Sequence, residues 1–295
     1  MRKVVIILIT IVFSATVYAE SSVWKLTSGN NNFYIAGSCH VLSKSDYPLP
    51  EEFETAYENV DQVIFETDLE ALMRPEIQQL LIGKATYPGD DTLEKKLSKK
   101  SYATLAEYCN HNAIPISIFQ KFKPWMVTMT LLAMELEKNG ISSADGLELY
   151  LSEKIKRDGK NTGGLEDIQE HIEIISSFEE ALDESIIENF VQEIEELHVI
   201  IKGIIKSWKA GDEAKINEYL SGRLRKEYPK LYERIIVDRN RRWISPLEDL
   251  INSRKRTLVV VGVGHLAGED SVINLLKSKG YKIEKLNVKL HGQSP

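Results

Sequence analysis

The sequence predicts an α/β fold: a central mixed, largely parallel sheet with strands from both ends of the chain and a large helical middle region. Three observations carry this. Short apolar runs at Phe33–Ala36, Gln62–Phe65 and Leu258–Val261 are bounded by glycine or charge and are too short for helices. Between the second and third runs, residues 71–109, 124–139, 144–158, 168–237 and 239–250 carry helical patterns. The first and last runs also lead into one pattern, G-x-x-H: Gly37-Ser38-Cys39-His40 and Gly262-Val263-Gly264-His265.

Taken in order, Met1-Arg2-Lys3, the apolar run Val4–Phe13 and the small-x-small site Val17-Tyr18-Ala19 read as a signal peptide over residues 1–19. The run is short for a membrane span. Val23–Leu26 and Asn32–Ala36 then read as a hairpin around Thr27–Asn31. A helix is expected at Glu51–Asn59 behind Pro50, followed by the strand ending at Glu66. Residues 71–109 read as helical, Ile114–Ile118 as a short buried strand and Pro124–Asn139 as a helix closed by Gly140. Ala144–Asp158 is a further helix that Gly159–Gly164 ends, leading into Leu165-Glu166. Residues 168–237 read as acidic helices interrupted at Gly211-Asp212, and Arg239–Leu250 as a helix broken near Pro246. Strand Thr257–Val263, helix Asp270–Lys279 capped by Gly280, and strand Tyr281–Val288 close the chain. With no tandem repeat or low-complexity linker, residues 20–295 are expected to form a single domain.

Composition bounds the function. The apolar share of 43% and the charged share of 27% are those of an ordinary globular protein. The net charge of −7 would become −9 once Arg2 and Lys3 leave with the signal peptide, which argues against a nucleic-acid partner. An exported protein is expected, periplasmic in a Gram-negative host and secreted otherwise, with no membrane span after signal cleavage. Two cysteines do not define a disulfide framework. Cys39 reads as a buried thiol; neighbours on a strand point to opposite faces, so Cys39 and His40 make a poor nucleophile–base pair.

If the three apolar runs are adjacent parallel strands, their C-terminal ends open into one crevice. That would gather His40, His265 and Glu66 over Gly37, Gly262 and Gly264, a set suited to a divalent metal or to acid–base chemistry. The two histidines are expected to be metal ligands, or one ligand and one general base. Glu66 is expected to be a ligand or base, against the plainer reading of an ion pair with Arg239. Arg239 and Asn240 are candidates for stabilising negative charge on a substrate oxygen. Asp68 is either a second carboxylate or a helix cap. Glu166 is a secondary candidate, Glu148 is read as surface or structural, and His111, His171, His198 and His291 as bystanders.

The ordered motifs G-S-x-H-x-L, F-E-T-D, K-P-W-M, G-L-E-L-Y-L, G-G-L-E, W-x-x-G-D, R-N-x-x-W and V-V-G-V-G-H-L-A-G-E-D resemble the TraB/GumN family over roughly Val23–Val288. That family is related to the Tiki metalloproteases and more distantly to erythromycin-esterase-like and ChaN-like folds. The resemblance implies an α/β fold with a crevice built from both G-x-x-H segments. In the Tiki relatives it implies peptide hydrolysis dependent on a divalent metal, manganese or cobalt. TraB-type members shut down peptide pheromones; GumN members sit in polysaccharide gene clusters. The leading expectation is therefore an exported metal-dependent peptidase acting on a peptide or small molecule. The alternatives are a metal-independent esterase-like hydrolase or a non-catalytic protein that sequesters peptide or haem. H-E-x-x-H and G-x-S-x-G are both absent.

Overall fold

A computed structural model describes residues 20–28, 31–181 and 184–288. The expected signal peptide, the tip of the first hairpin at residues 29 and 30, and His291 lie outside the described residues. Six strands, β1 (Val23–Ser28), β2 (Asn31–Ser38), β3 (Gln62–Phe65), β4 (Asn161–Gly164), β5 (Thr257–Gly262) and β6 (Lys282–Lys285), form one sheet in the order β4-β3-β5-β2-β1-β6. β4, β3, β5 and β2 are mutually parallel, while β1 runs antiparallel to both β2 and β6. The sheet is mixed and draws on both ends of the chain, as expected.

The three apolar runs are neighbours. Leu258 of β5 pairs with Tyr34 of β2 on one side and with Val63 of β3 on the other. Every residue of β3 and β5 is buried, because helices cover both faces and both must be apolar. Tyr34, Ala36, Val63, Phe65, Leu258 and Val260 face a core shared with Phe53, Leu151 and Trp208. The alternate residues Phe33, Ile35, Ile64, Val259 and Val261 face Trp243, Leu247 and Leu276. A third cluster, including Leu105, Phe119, Leu131 and Ile194, packs the helical middle region away from the sheet.

Three elements differ from expectation. Ile114–Ile118 is no strand: Pro115 lacks a donor for pairing, and Ile116–Phe119 forms a 3-10 turn that buries Phe119 and leaves Ile118 exposed. Asn161–Gly164 does not merely end a helix; it is edge strand β4, held by register with β3 and not by its glycine-rich composition. The helix Asp238–Asn252 runs through Pro246 without a break. Trp243, Ile244, Leu247 and Ile251 are buried along it, and this packing outweighs the lost hydrogen bond.

Among the described residues no helix is long and apolar enough to cross a membrane. Cys39 and Cys109 are both buried and unbridged. Burial, reinforced by Glu148, pushes the Cys39 thiol up and away from the thiolate a nucleophile requires.

Candidate functional site

The C-terminal ends of β2, β5 and β3 converge where an open α/β sheet places its ligands. His40 lies two residues beyond β2, Glu66 one beyond β3, and His265 three beyond β5, inside a 3-10 turn spanning Val263–His265. A fourth contribution comes from helix Asp238–Asn252, which follows a π-helical turn at Glu233–Val237. Such a turn shifts the phase of the helix after it. Here Arg239 and Asn240 are both buried, 5% and 0% exposed.

Arg239 is the hub. Its Nη2 donates to Glu66 Oε2 at 2.6 Å and to Glu166 Oε1 at 2.7 Å, and its Nε to Glu166 Oε2 at 3.1 Å. Its Nη1 lies 3.2 Å from His265 Nε2, and the guanidinium stacks 4.6 Å from the Trp243 ring centre. Trp243 Nε1 donates to Glu166 Oε2 at 3.1 Å, so this buried carboxylate is fully engaged. The ion pair Glu66–Arg239, one of the two readings open from the sequence, is therefore formed. Burial opposes ionisation of Glu66, yet Arg239 and the neighbouring imidazoles hold its carboxyl far below the usual carboxylate range. Its Oε1 accepts the backbone N–H of Gly262 at 2.7 Å.

The tautomers follow from the partners. Arginine only donates, so His265 Nε2 carries a lone pair and its Nδ1–H donates to Asn240 Oδ1 at 2.7 Å. Asn240 Nδ2 in turn donates to the Asp270 carbonyl at 2.8 Å, which anchors the pair. Burial drives the His265 pKa down to about 3, so the ring is neutral. His40 is the opposite case. Its Nδ1 lies 2.6 Å from Glu148 Oε1, its side chain is 66% exposed, and the Glu148 charge raises its pKa to about 9.

Glu148, read from the sequence as surface or structural, is thus a direct partner of His40. It stands in the first turn of helix Leu147–Asp158, where a carboxylate is favoured. A Cβ on Gly146 would run into the His40 carbonyl, and Leu147 N–H donates to the Cys39 carbonyl at 3.2 Å. The glycine that opens G-L-E-L-Y-L lets this helix dock on the first G-x-x-H loop. His171, read as a bystander, instead donates Nδ1–H to Glu166 Oε1 at 2.7 Å. Asp68 is a cap: its Oδ1 accepts from Glu70 N at 2.9 Å and Ala71 N at 3.3 Å.

The glycines divide. The space beside Gly37 is filled by Val263, 2.8 Å from where a Cβ would stand, so that glycine serves packing. Gly264 makes ordinary contacts with Ser221 and Leu220. Gly262 faces the centre: a Cβ there would lie 3.2 Å from Glu66 Oε1, 3.3 Å from His40 Nε2 and 3.6 Å from His265 Cδ2.

Among the described residues, one compact donor set includes Glu66. Ligand atoms of Glu66, Glu166 and His171 lie within 4.8 Å of one another. Between the two carboxylates, however, the Arg239 guanidinium already supplies the positive charge. On the Gly262 side, Glu66 Oε1 is joined by His40 Nε2 and by His265 Nε2, the latter 3.8 Å away. Both rings there have Nδ1 tied to an oxygen, the arrangement that orients a metal-ligating imidazole. An ion on this side would require Arg239 to release the His265 lone pair and His40 to give up its Nε2 proton.

The model of the TraB/PrgY/gumN family matches residues 22–285. The uncharacterized protein YbaP of Escherichia coli (strain K12) is 23% identical over 252 residues, covering 84% of this chain and 89% of that protein. Metalloprotease TIKI1 of Xenopus tropicalis is 22% identical over 303 residues, 85% of this chain and 58% of its own length. A metalloprotease TIKI homolog of Amphimedon queenslandica is 33% identical over 86 residues, 28% of this chain and 15% of that protein. No solved structure matches the chain.

Proposed function

Because the chain belongs to the TraB/PrgY/gumN family, we propose that this crevice is the active centre of an exported hydrolase that cleaves peptides with a divalent metal. His40 Nε2, Glu66 Oε1 and His265 Nε2 would hold the ion, with manganese or cobalt the first to test. The observation that carries this reading is the convergence of those three side chains on the open face of Gly262. A divalent ion bound there supplies Lewis-acid polarisation of a carbonyl and lowers the pKa of a water.

The chain's own residues do the rest. Glu148 fixes the His40 ring with Nε2 toward the crevice, and Asn240 does the same for His265. Arg239 holds Oε2 of Glu66, while Gly262 N–H donates to Oε1, which keeps a further lone pair for the crevice. Arg239 is shared by Glu66 and Glu166 and is buried, so it offsets their charge and positions Glu66 and does not face a substrate oxygen. Export rests on the pattern of residues 1–19, and the mature chain is expected to start at Glu20.

The test is peptide-library digestion by residues 20–295 with Mn²⁺ or Co²⁺, read by mass spectrometry. Cleavage lost with chelator and in both His40→Ala and Glu66→Gln supports the reading. Cleavage indifferent to chelator and to Glu66→Gln contradicts it. One observation favours a second reading, a metal-free hydrolase: the short His40–Glu148 pair is an imidazole oriented by a carboxylate at an exposed position. Chelator-resistant turnover lost in Glu148→Gln would select that reading.

A further inference from the structure

His40 stands between two clefts of different character. One, of about 280 Å³, contains the carboxylates Glu66 and Glu148. The other, of about 430 Å³, begins at His40, Gly262 and His265 and continues as an apolar trough. Its walls include Ile201, Ile205, Tyr219, Leu220, Leu224 and Ile236. These come from helices Ser185–Lys209, Glu213–Tyr219 and Ser221–Glu227, from Leu220 between the last two, and from the π-helical turn. Ile201, Tyr219, Leu220 and Leu224 are half-buried: they pack on the core clusters and also line the trough.

The trough wall and the site loop are one unit. Ser221 Oγ donates to the Gly264 carbonyl at 2.6 Å, which ties helix Ser221–Glu227 to the loop that carries His265. The left-handed Gly268 (φ 89°) packs against Asn217 of the preceding helix. A group bound in the trough is thereby held at a set distance from the histidines. The volume lies in the range of pockets that enclose a ligand group; the lining is mostly apolar, and its charged members Arg223 and Glu227 bond each other at 3.0 Å, which disfavours an unpaired charged side chain there.

We infer that this trough is a specificity pocket that receives a bulky aliphatic or aromatic side chain of the peptide, next to the bond cleaved between His40 and His265. The inference rests on the peptidase reading and adds the class of substrate. Peptides with Leu or Phe beside the scissile bond are preferred over those with Ala, and Asp and Lys are rejected.

The experiment uses fluorescein-labelled hexapeptides in which one central residue is Ala, Leu, Phe, Asp or Lys. Cleavage with Mn²⁺ is measured for the native protein and for Leu224→Trp, which fills the trough, and Tyr219→Ala, which enlarges it. Binding of the same peptides to Glu66→Gln is followed by anisotropy, with and without Leu224→Trp. The native protein is expected to favour Phe over Ala by about tenfold or more, and Leu224→Trp to reverse that ratio. A ratio unchanged by Leu224→Trp and Tyr219→Ala overturns the pocket while leaving the peptidase reading intact. Phe-selective binding that Leu224→Trp abolishes, with no cleavage of any peptide, upholds the pocket and overturns the peptidase reading.

Discussion

Replacing Arg239 with methionine keeps much of the side-chain volume and removes the charge that Glu66 and Glu166 share. The three side chains are 7%, 14% and 2% exposed, so neither carboxylate has water to fall back on. Removing one partner of a buried pair costs about 3–5 kcal/mol, and two carboxylates are stranded here, which places the loss near about 5 kcal/mol at neutral pH. The loss must depend on pH with a definite sign. Glu66 and Glu166 both have lowered folded pKa values, so their stabilisation is complete above the unfolded value of about 4.3 and is lost as pH falls through the folded value. In Arg239→Met the stranded carboxyls take up protons more readily, and the deficit relative to the native protein narrows as pH drops toward about 4.5. Urea denaturation of both proteins across that range measures it. Arg239→Lys should fall between, because an ammonium keeps the charge but cannot span Glu66, Glu166 and His265 together. A loss below about 1 kcal/mol, or one that does not vary with pH, would refute the hub assignment.

Other outcomes follow from the same geometry. Gly262→Ala places a methyl group among Glu66, His40 and His265 and is expected to weaken Mn²⁺ binding by about tenfold or more at little cost in stability, read by calorimetry and thermal melting. Glu148→Gln removes the charge that raises His40, so the His40 pKa should fall from about 9 toward the ordinary histidine value, followed by NMR titration. His265 is neutral when folded but protonates in the unfolded chain, so it removes stability as pH falls from about 6.5 toward about 3. Its replacement by Gln should flatten that part of the stability profile, at about 1.4 kcal/mol per pH unit.

What could be read from the sequence follows from where the free energy is local. Strands β2, β3 and β5 are buried on both faces, so their apolar runs are unbroken, and the residues after them, His40, Glu66 and His265, stand out as polar punctuation. Strand β4 left no such trace, since Asn-Thr-Gly-Gly has little β-propensity and depends on its partner. The helix through Pro246 is set by the buried row Trp243, Ile244, Leu247 and Ile251, a tertiary effect that overrides a local breaker. Glu148 and His171 reach the site across the fold, and periodicity does not report such contacts. The glycine ahead of Leu147-Glu148 was a visible mark of close approach, but its partner, the His40 carbonyl, is legible only in three dimensions.

The most direct test of the central claim is a Mn²⁺ titration of residues 20–295 alongside His265→Ala and His171→Ala. The account predicts saturable binding in the native protein, retained in His171→Ala and lost in His265→Ala. Binding lost in His171→Ala but kept in His265→Ala would instead put the ion between Glu66 and Glu166, displacing Arg239, and would contradict the assignment of the crevice at Gly262.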